Sequence, residues 1–248
     1  MVQPQMAQAN PNAQAISSSF SADIALDAGL SGGLSLESGD GDYLPIVKVA
    51  PIYPRRAQSR GIEGFVIVEL GHNVAGPVGG QILAELGAKV IKVEDPGTGD
   101  AARHWPPVVD GISTVYRSLN RSKSGVTVDF RDEDQLAALK TLILEDADVV
   151  LQNLRPGVVQ RFGLDAETLR GEKPGLVYCN IGAYGAVGPM AGKPGYDVLM
   201  QGYAGLMSVQ GEPGGPPMRA GSSINDIGTG MWAALSIQAA LLERVRTG

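Results

Sequence analysis

The sequence predicts an α/β fold with a mainly parallel central sheet over residues 65–248. Short apolar runs recur, at Phe65-Val66-Ile67-Val68-Glu69-Leu70, Lys89-Val90-Ile91-Lys92-Val93-Glu94, Asp148-Val149-Val150-Leu151-Gln152 and Leu176-Val177-Tyr178-Cys179-Asn180-Ile181. Stretches of helical length separate them, the alternation expected of βαβ units. The 34 glycines gather in short turns between apolar runs rather than in a low-complexity tract, which suits a loop-rich α/β enzyme.

Residues 1–41 are rich in Gln, Asn, Ala, Ser and Gly and poor in large apolar side chains. Such a stretch cannot offset the entropy of ordering, so a disordered leader is expected. Residues 42–64 differ in character: Pro51-Ile52-Tyr53-Pro54-Arg55-Arg56-Ala57, then Gly61-Ile62-Glu63-Gly64 and the first strand. Leu44 to Glu69 resembles the opening of a TonB-type C-terminal domain and is expected to be an appended piece. After the first strand, Gly71 to Pro77 reads as a loop and Val78 to Leu86 as a helix closed by Gly87. A polar turn, Asp95 to Asp100, follows the second strand. Asp132-Glu133-Asp134 places acid in the first turn of a helix running to about Glu145. Pro156 suits a helix start. Asp197 to Leu206 reads as a helix, Gly211 to Pro217 as a rigid turn, and Ile224 to Val245 as a last helix with Ala233, Ala234, Ile237, Ala240 and Leu241 at helical spacing.

With 248 residues and 44% hydrophobic side chains, the chain has room for one good-sized core and a small second unit. A net charge of −6, spread along the chain, excludes the basic surface that nucleic acid or an acidic membrane would require. Cys179 is the single cysteine, so no internal disulfide forms. No stretch is apolar enough to span a bilayer and no signal peptide is legible, so a cytoplasmic protein is expected.

Asp226 opens the last helix, in Ser223-Ile224-Asn225-Asp226-Ile227-Gly228-Thr229-Gly230. Unpaired N–H groups and the positive end of the helix dipole would keep it ionised and nucleophilic. Gly228 and Gly230 would clear side-chain bulk around it. An ordinary helix N-cap also places an Asp here. The first βαβ unit lacks a dinucleotide fingerprint: Gly71, Gly76, Gly79 and Gly80 do not give Gly-x-Gly-x-x-Gly, and Pro77 removes an N–H from the turn. His72 and His104 have no ligands at metal spacing and read as loop residues, so no metal site is expected. Asn153-Leu154-Arg155-Pro156-Gly157 and Arg161 put two arginines beside a helix start, an edge that holds phosphate or is merely a solvated surface.

These motifs and their order resemble the class III coenzyme A transferase family, which includes formyl-, succinyl- and carnitine-type acyl-CoA transferases and α-methylacyl-CoA racemases. The resemblance covers about Val66 to Gly248. It rests on Ala75-Gly76-Pro77, Leu86 to Glu94, Leu119-Asn120-Arg121-Ser122-Lys123, Asn153 to Gly157, Arg161-Phe162-Gly163-Leu164, Pro194-Gly195-Tyr196-Asp197 and Gly215-Pro216-Pro217 leading to Asp226. It departs at Asp95, where many members carry a basic residue. Members also continue into a second, smaller domain, so the resemblance implies a Rossmann-like sheet with flanking helices, truncated before that domain.

The resemblance further implies that Asp226 attacks an acyl-CoA thioester and becomes an aspartyl-CoA intermediate, from which a carboxylic acid takes the CoA. Val74 and Ala75 would line the thioester end. Val128, Asp129, Arg131, Asn153, Leu154, Arg155, Arg161, Lys193, Gly195 and Tyr196 would contact CoA, with Asp197, Gly228 and Gly230 in support. CoA would be a co-substrate rather than a resident cofactor, and the assembly a homodimer. A chain of this length is expected to bind CoA weakly and turn over poorly. Racemase members carry a histidine just before the acid matching Asp197; Tyr196 stands there, and its phenol is a poor proton acceptor at neutral pH. The reading from a different class is a non-enzymatic, TonB-like interaction fragment.

Overall fold

A computed structural model describes residues 64–247. The expected leader and, apart from Gly64, the TonB-like segment 42–64 lie outside the described residues. In chain order the elements are β1 (Val66–Leu70), α1 (Ala75–Glu85), β2 (Lys89–Glu94), a short hairpin of β3 (Val108–Val109) and β4 (Ile112–Ser113), α2 (Thr114–Leu119), β5 (Ser124–Thr127), α3 (Glu133–Glu145), β6 (Val149–Gln152), α4 (Val158–Arg161), α5 (Ala166–Glu172), β7 (Val177–Asn180), α6 (Asp197–Tyr203) and α7 (Ile224–Thr247).

Five strands form one parallel sheet in the order β5-β2-β1-β6-β7. The strand order reverses between β1 and β6, which opens a crevice at the carboxyl ends of those two strands. Side chains alternate to opposite faces of each strand, and both faces are covered. Val68, Leu70, Val93, Val126 and Val150 pack with Leu139, Leu142 and Ile143 of α3 and with Val159, Leu164 and Leu169. Ile67, Val90, Val149 and Leu151 face the other way, onto Leu83 and Ala84 of α1 and Ala233, Ala234, Ile237 and Leu241 of α7. The apolar periodicity of the last helix therefore serves the sheet. Its other side stays open, with Met231, Trp232, Leu235, Leu242 and Val245 exposed.

Close approach decides two glycines. A Cβ on Gly230 would lie 2.7 Å from the Ala75 carbonyl oxygen and 2.7 Å from Val78 Cβ, so α7 rests almost backbone to backbone on α1. A Cβ on Gly80 would lie 1.8 Å from Glu69 Oε2. That glycine admits a fully buried charge cluster: Lys92 pairs with Glu69 at 3.1 Å and Asp100 at 2.9 Å, and Lys123 pairs with Glu69 at 2.8 Å. Two cations and two carboxylates balance in a dry site, where losing one would strand its partners. Burial pulls the Lys123 amine down to about 8 against the opposing charge of Glu69.

Several boundaries differ from the sequence expectation. Helix α1 starts at Ala75 rather than Val78, because Pro77 falls in a first turn whose N–H groups need no partner. Behind Pro156, Gly157 turns left-handed at φ 87° and α4 spans only four residues. Helix α6 ends at Tyr203. Elements β3, β4, α2, β5 and α5 had no counterpart in the sequence reading.

Candidate active site

Four loops meet over the crevice and enclose a cavity of about 570 Å³. Its walls are His72 to Ala75 after β1, Gln152 to Gly157 after β6, Asn180 to Ala186 after β7, and Gly192 to Tyr196 before α6. The α7 residues Asn225, Asp226 and Thr229 complete it. The carboxylate thus shares one space with Arg155 and Lys193, the groups suited to an anionic ligand.

Asp226 is half-buried and is the third residue of α7. Its carboxyl is pushed up to about 6, by burial first and then by the charge of Asp197. This differs from the expected helix-mouth stabilisation, because the N–H groups at the opening of α7 serve Asp197 instead. Asp197 Oδ1 accepts from Asn225 N at 2.7 Å and Asp226 N at 3.2 Å, while Oδ2 accepts from Gln201 Nε2. At pH 7 a group with that pKa is still about nine-tenths ionised. It is also more basic than an ordinary aspartate, which strengthens it as a nucleophile.

Among the residues named from the sequence, Val74, Ala75, Asn153, Leu154, Arg155, Lys193, Gly195, Tyr196 and Asp226 line this cavity. Others lie elsewhere. Val128 is a buried core residue whose N–H donates to the Glu94 carbonyl. Asp129 and Arg131 pair with each other at 2.9 Å on the surface. Arg161 lies over the Phe162 ring. Asp197 is buried between α6 and α7. Gly230 packs against α1, and a Cβ on Gly228 would meet nothing within 4 Å.

The sequence reading missed Gln152, Asn180 and Asn225 as cavity walls, and took His72 for a plain loop residue. Gln152 and Asn180 had a legible signal: each is a polar side chain closing an apolar strand. Gln152 Nε2 donates to Asn180 Oδ1, and Gln152 Oε1 accepts from Leu154 N at 2.8 Å. Burial lowers the His72 imidazole, opposed by Asp100 and assisted by Lys92 and Arg155, so the ring is mainly neutral at pH 7. Among the described residues, no group of three His, Cys, Asp or Glu side chains could hold a metal ion.

The sequence profile of CoA-transferase family III matches residues 62–248. The chain belongs to CoA-transferase family III. Relatives of this CoA-transferase family member include the succinate–glutarate CoA-transferase of Agrobacterium fabrum, 41% identical over 75% of this chain and 48% of that protein. The succinyl-CoA:glutarate CoA-transferase of Mus musculus is 40% identical over 75% of this chain and 43% of that protein. The crystal structure of a CAIB/BAIF family protein from Brucella suis superposes with a TM-score of 0.71 at 42% identity, covering 75% of this chain and 50% of that one. The chain spans about half the length of the curated relatives it matches.

Proposed function

We propose that residues 65–248 form the CoA-binding, nucleophile-bearing portion of an enzyme that moves coenzyme A from an acyl-CoA thioester to a carboxylic acid. One observation carries this reading: Asp226 faces the same cavity as Arg155 and Lys193, at the carboxyl ends of the parallel strands. A carboxylate oxygen of Asp226 attacks the thioester carbonyl carbon, the C–S bond breaks, and a mixed anhydride and CoA thiolate result. The thiolate then attacks the Asp226 carbonyl of the anhydride, giving an aspartyl-CoA thioester and releasing the donor acid as its carboxylate. An acceptor carboxylate repeats both steps in reverse and restores Asp226. Dividing the exchange in this way needs a carboxylate that is ionised yet partly shielded from water, which the surroundings of Asp226 provide.

In this reading Val74 and Ala75 flank the thioester, and Leu154, Arg155, Lys193, Gly195 and Tyr196 hold the CoA arm and phosphates. Asp129, Arg131 and Arg161, away from the cavity, belong to the outer nucleotide end, while Val128 packs in the core beneath them. Small dicarboxylic acids, which the names of the bacterial and mouse relatives carry, are the first substrates to try. Transfer fits better than racemisation because both oxygens of Asp197 are spent on α7 and Gln201. A homodimer is part of the proposal, and the exposed apolar side of α7 offers it a surface. None of the described helices is long and apolar enough to cross a membrane; a cytoplasmic site of action belongs to the same proposal.

The test is to incubate the protein with succinyl-CoA, quench with hydroxylamine, and locate the hydroxamate by mass spectrometry. It is expected at Asp226 and absent in Asp226→Asn. A hydroxamate at another residue, or none, refutes the reading.

A further inference from the structure

Asn153 follows β6 directly and lines the cavity, where a side-chain amide would serve as a ligand for CoA. The amide is already engaged. Its Oδ1 accepts from His72 N at 2.8 Å, and its Nδ2 donates to His72 O at 2.9 Å. The glycines beside it leave no slack: a Cβ would come within 3.3 Å of Oδ1 at Gly71 and 2.9 Å at Gly76.

The same loop is gripped from its other side. Asp100 Oδ1 accepts from Asn73 N at 2.9 Å, and Lys92 Nζ donates to Gly71 O at 2.6 Å while pairing with Asp100 Oδ2 at 2.9 Å. Four successive backbone groups, Gly71 O, His72 N, His72 O and Asn73 N, are therefore fixed by side chains from outside the loop. Asn73 is held left-handed at φ 63°, and the chain passes straight into Val74 and Ala75 of the cavity wall. Lys92 and Asp100 are buried and Asn153 is half-buried, and side chains bonded in this way lock the backbone without touching a ligand.

We propose that Asn153, with Asp100 and Lys92 opposite it, is a positioning residue that acts on the reaction through the His72–Val74 backbone and not as a ligand of CoA. The proposal rests on the transferase reading for its chemistry and on the hydrogen-bond pattern for its geometry. A wall displaced by about 1 Å costs on the order of 100-fold in rate without a matching loss of binding. A lost ligand does the opposite.

The full chain, Asn153→Ala and Asn153→Asp are compared in three measurements: CoA affinity by calorimetry, the rate of hydroxamate formation at Asp226 under saturating succinyl-CoA, and amide hydrogen exchange at His72 and Asn73. Asn153→Ala is expected to leave the CoA Kd within about threefold, slow the saturated rate by about tenfold or more, and speed exchange at His72. Asn153→Asp keeps the acceptor for His72 N but sets a carboxylate oxygen against His72 O, so it too loosens the loop and slows the saturated rate. It also serves where the alanine variant does not fold. A CoA Kd weakened about tenfold with an unchanged saturated rate overturns the proposal. So does unchanged exchange at His72. A wild-type chain that forms no Asp226 adduct sinks the transferase reading alone, because exchange still decides whether Asn153 holds the loop.

Discussion

Gly228 and Gly230 sit two residues apart on α7, yet alanine should act on them with opposite sign. In a helix interior, Gly→Ala gains about 1 kcal/mol from backbone entropy and propensity. Gly228 keeps that gain, since a Cβ there meets nothing within 4 Å. At Gly230 the new methyl would press on the Ala75 carbonyl oxygen at 2.7 Å and on Val78 Cβ at 2.7 Å. Relief requires α7 to lift from α1, an overpacking cost at the upper end of about 1–3 kcal/mol. The net loss is about 2 kcal/mol. For a chain of this size each kcal/mol moves Tm by about 2–4 °C, so Gly230→Ala should fall by about 4–8 °C and Gly228→Ala rise by about 2–4 °C. Urea unfolding gives the same comparison as a shift in midpoint at constant slope. A Gly230→Ala protein as stable as Gly228→Ala would show that the helices do not touch as described.

The position of Asp226 sets a pH dependence. With its carboxyl raised to about 6, the saturated rate of Asp226 acylation should climb about tenfold per pH unit below 6 and level off above 7; a flat profile between pH 5 and 8 would refute that assignment. Between the unfolded value of 3.8 and the folded value of about 6, the folded chain binds more protons. This group therefore favours folding below that window, and its contribution is lost as pH rises through 6. Lys92→Met would strand Asp100 and leave Glu69 with only Lys123 in a dry site. The expected loss is about 3–5 kcal/mol by urea unfolding, and a change below 1 kcal/mol would refute the buried charge balance.

Four strands of the central sheet were legible as short apolar runs, and the central two, β1 and β6, are buried almost throughout, as a covered parallel sheet requires. Ser124-Gly125-Val126-Thr127 escaped notice because a four-residue run with an internal glycine has no pattern of its own; its pairing with β2 makes it a strand. The start of α1 was misread at Pro77, a residue that breaks helices everywhere except in their first turn. Asp226 stood out in the sequence as a candidate nucleophile only through the family resemblance, since its neighbours alone fit an ordinary helix N-cap equally. Its environment was not legible, because the burial that chiefly raises its pKa comes from tertiary packing, and Asp197, which adds to the rise and takes the helix N–H bonds, lies on another helix. Likewise the cluster of Glu69, Lys92, Asp100 and Lys123 reads locally as four separate polar residues. Only the third dimension pairs them.

The helix bearing Asp226 comes late in the chain yet seats itself on α1, about 150 positions earlier. Closing so wide a loop adds little entropy cost over a modest one, but the reward arrives only when the strands between are in place. Assembly acquires a direction: Asp226 joins the cavity wall only when α7 covers the sheet face beside α1.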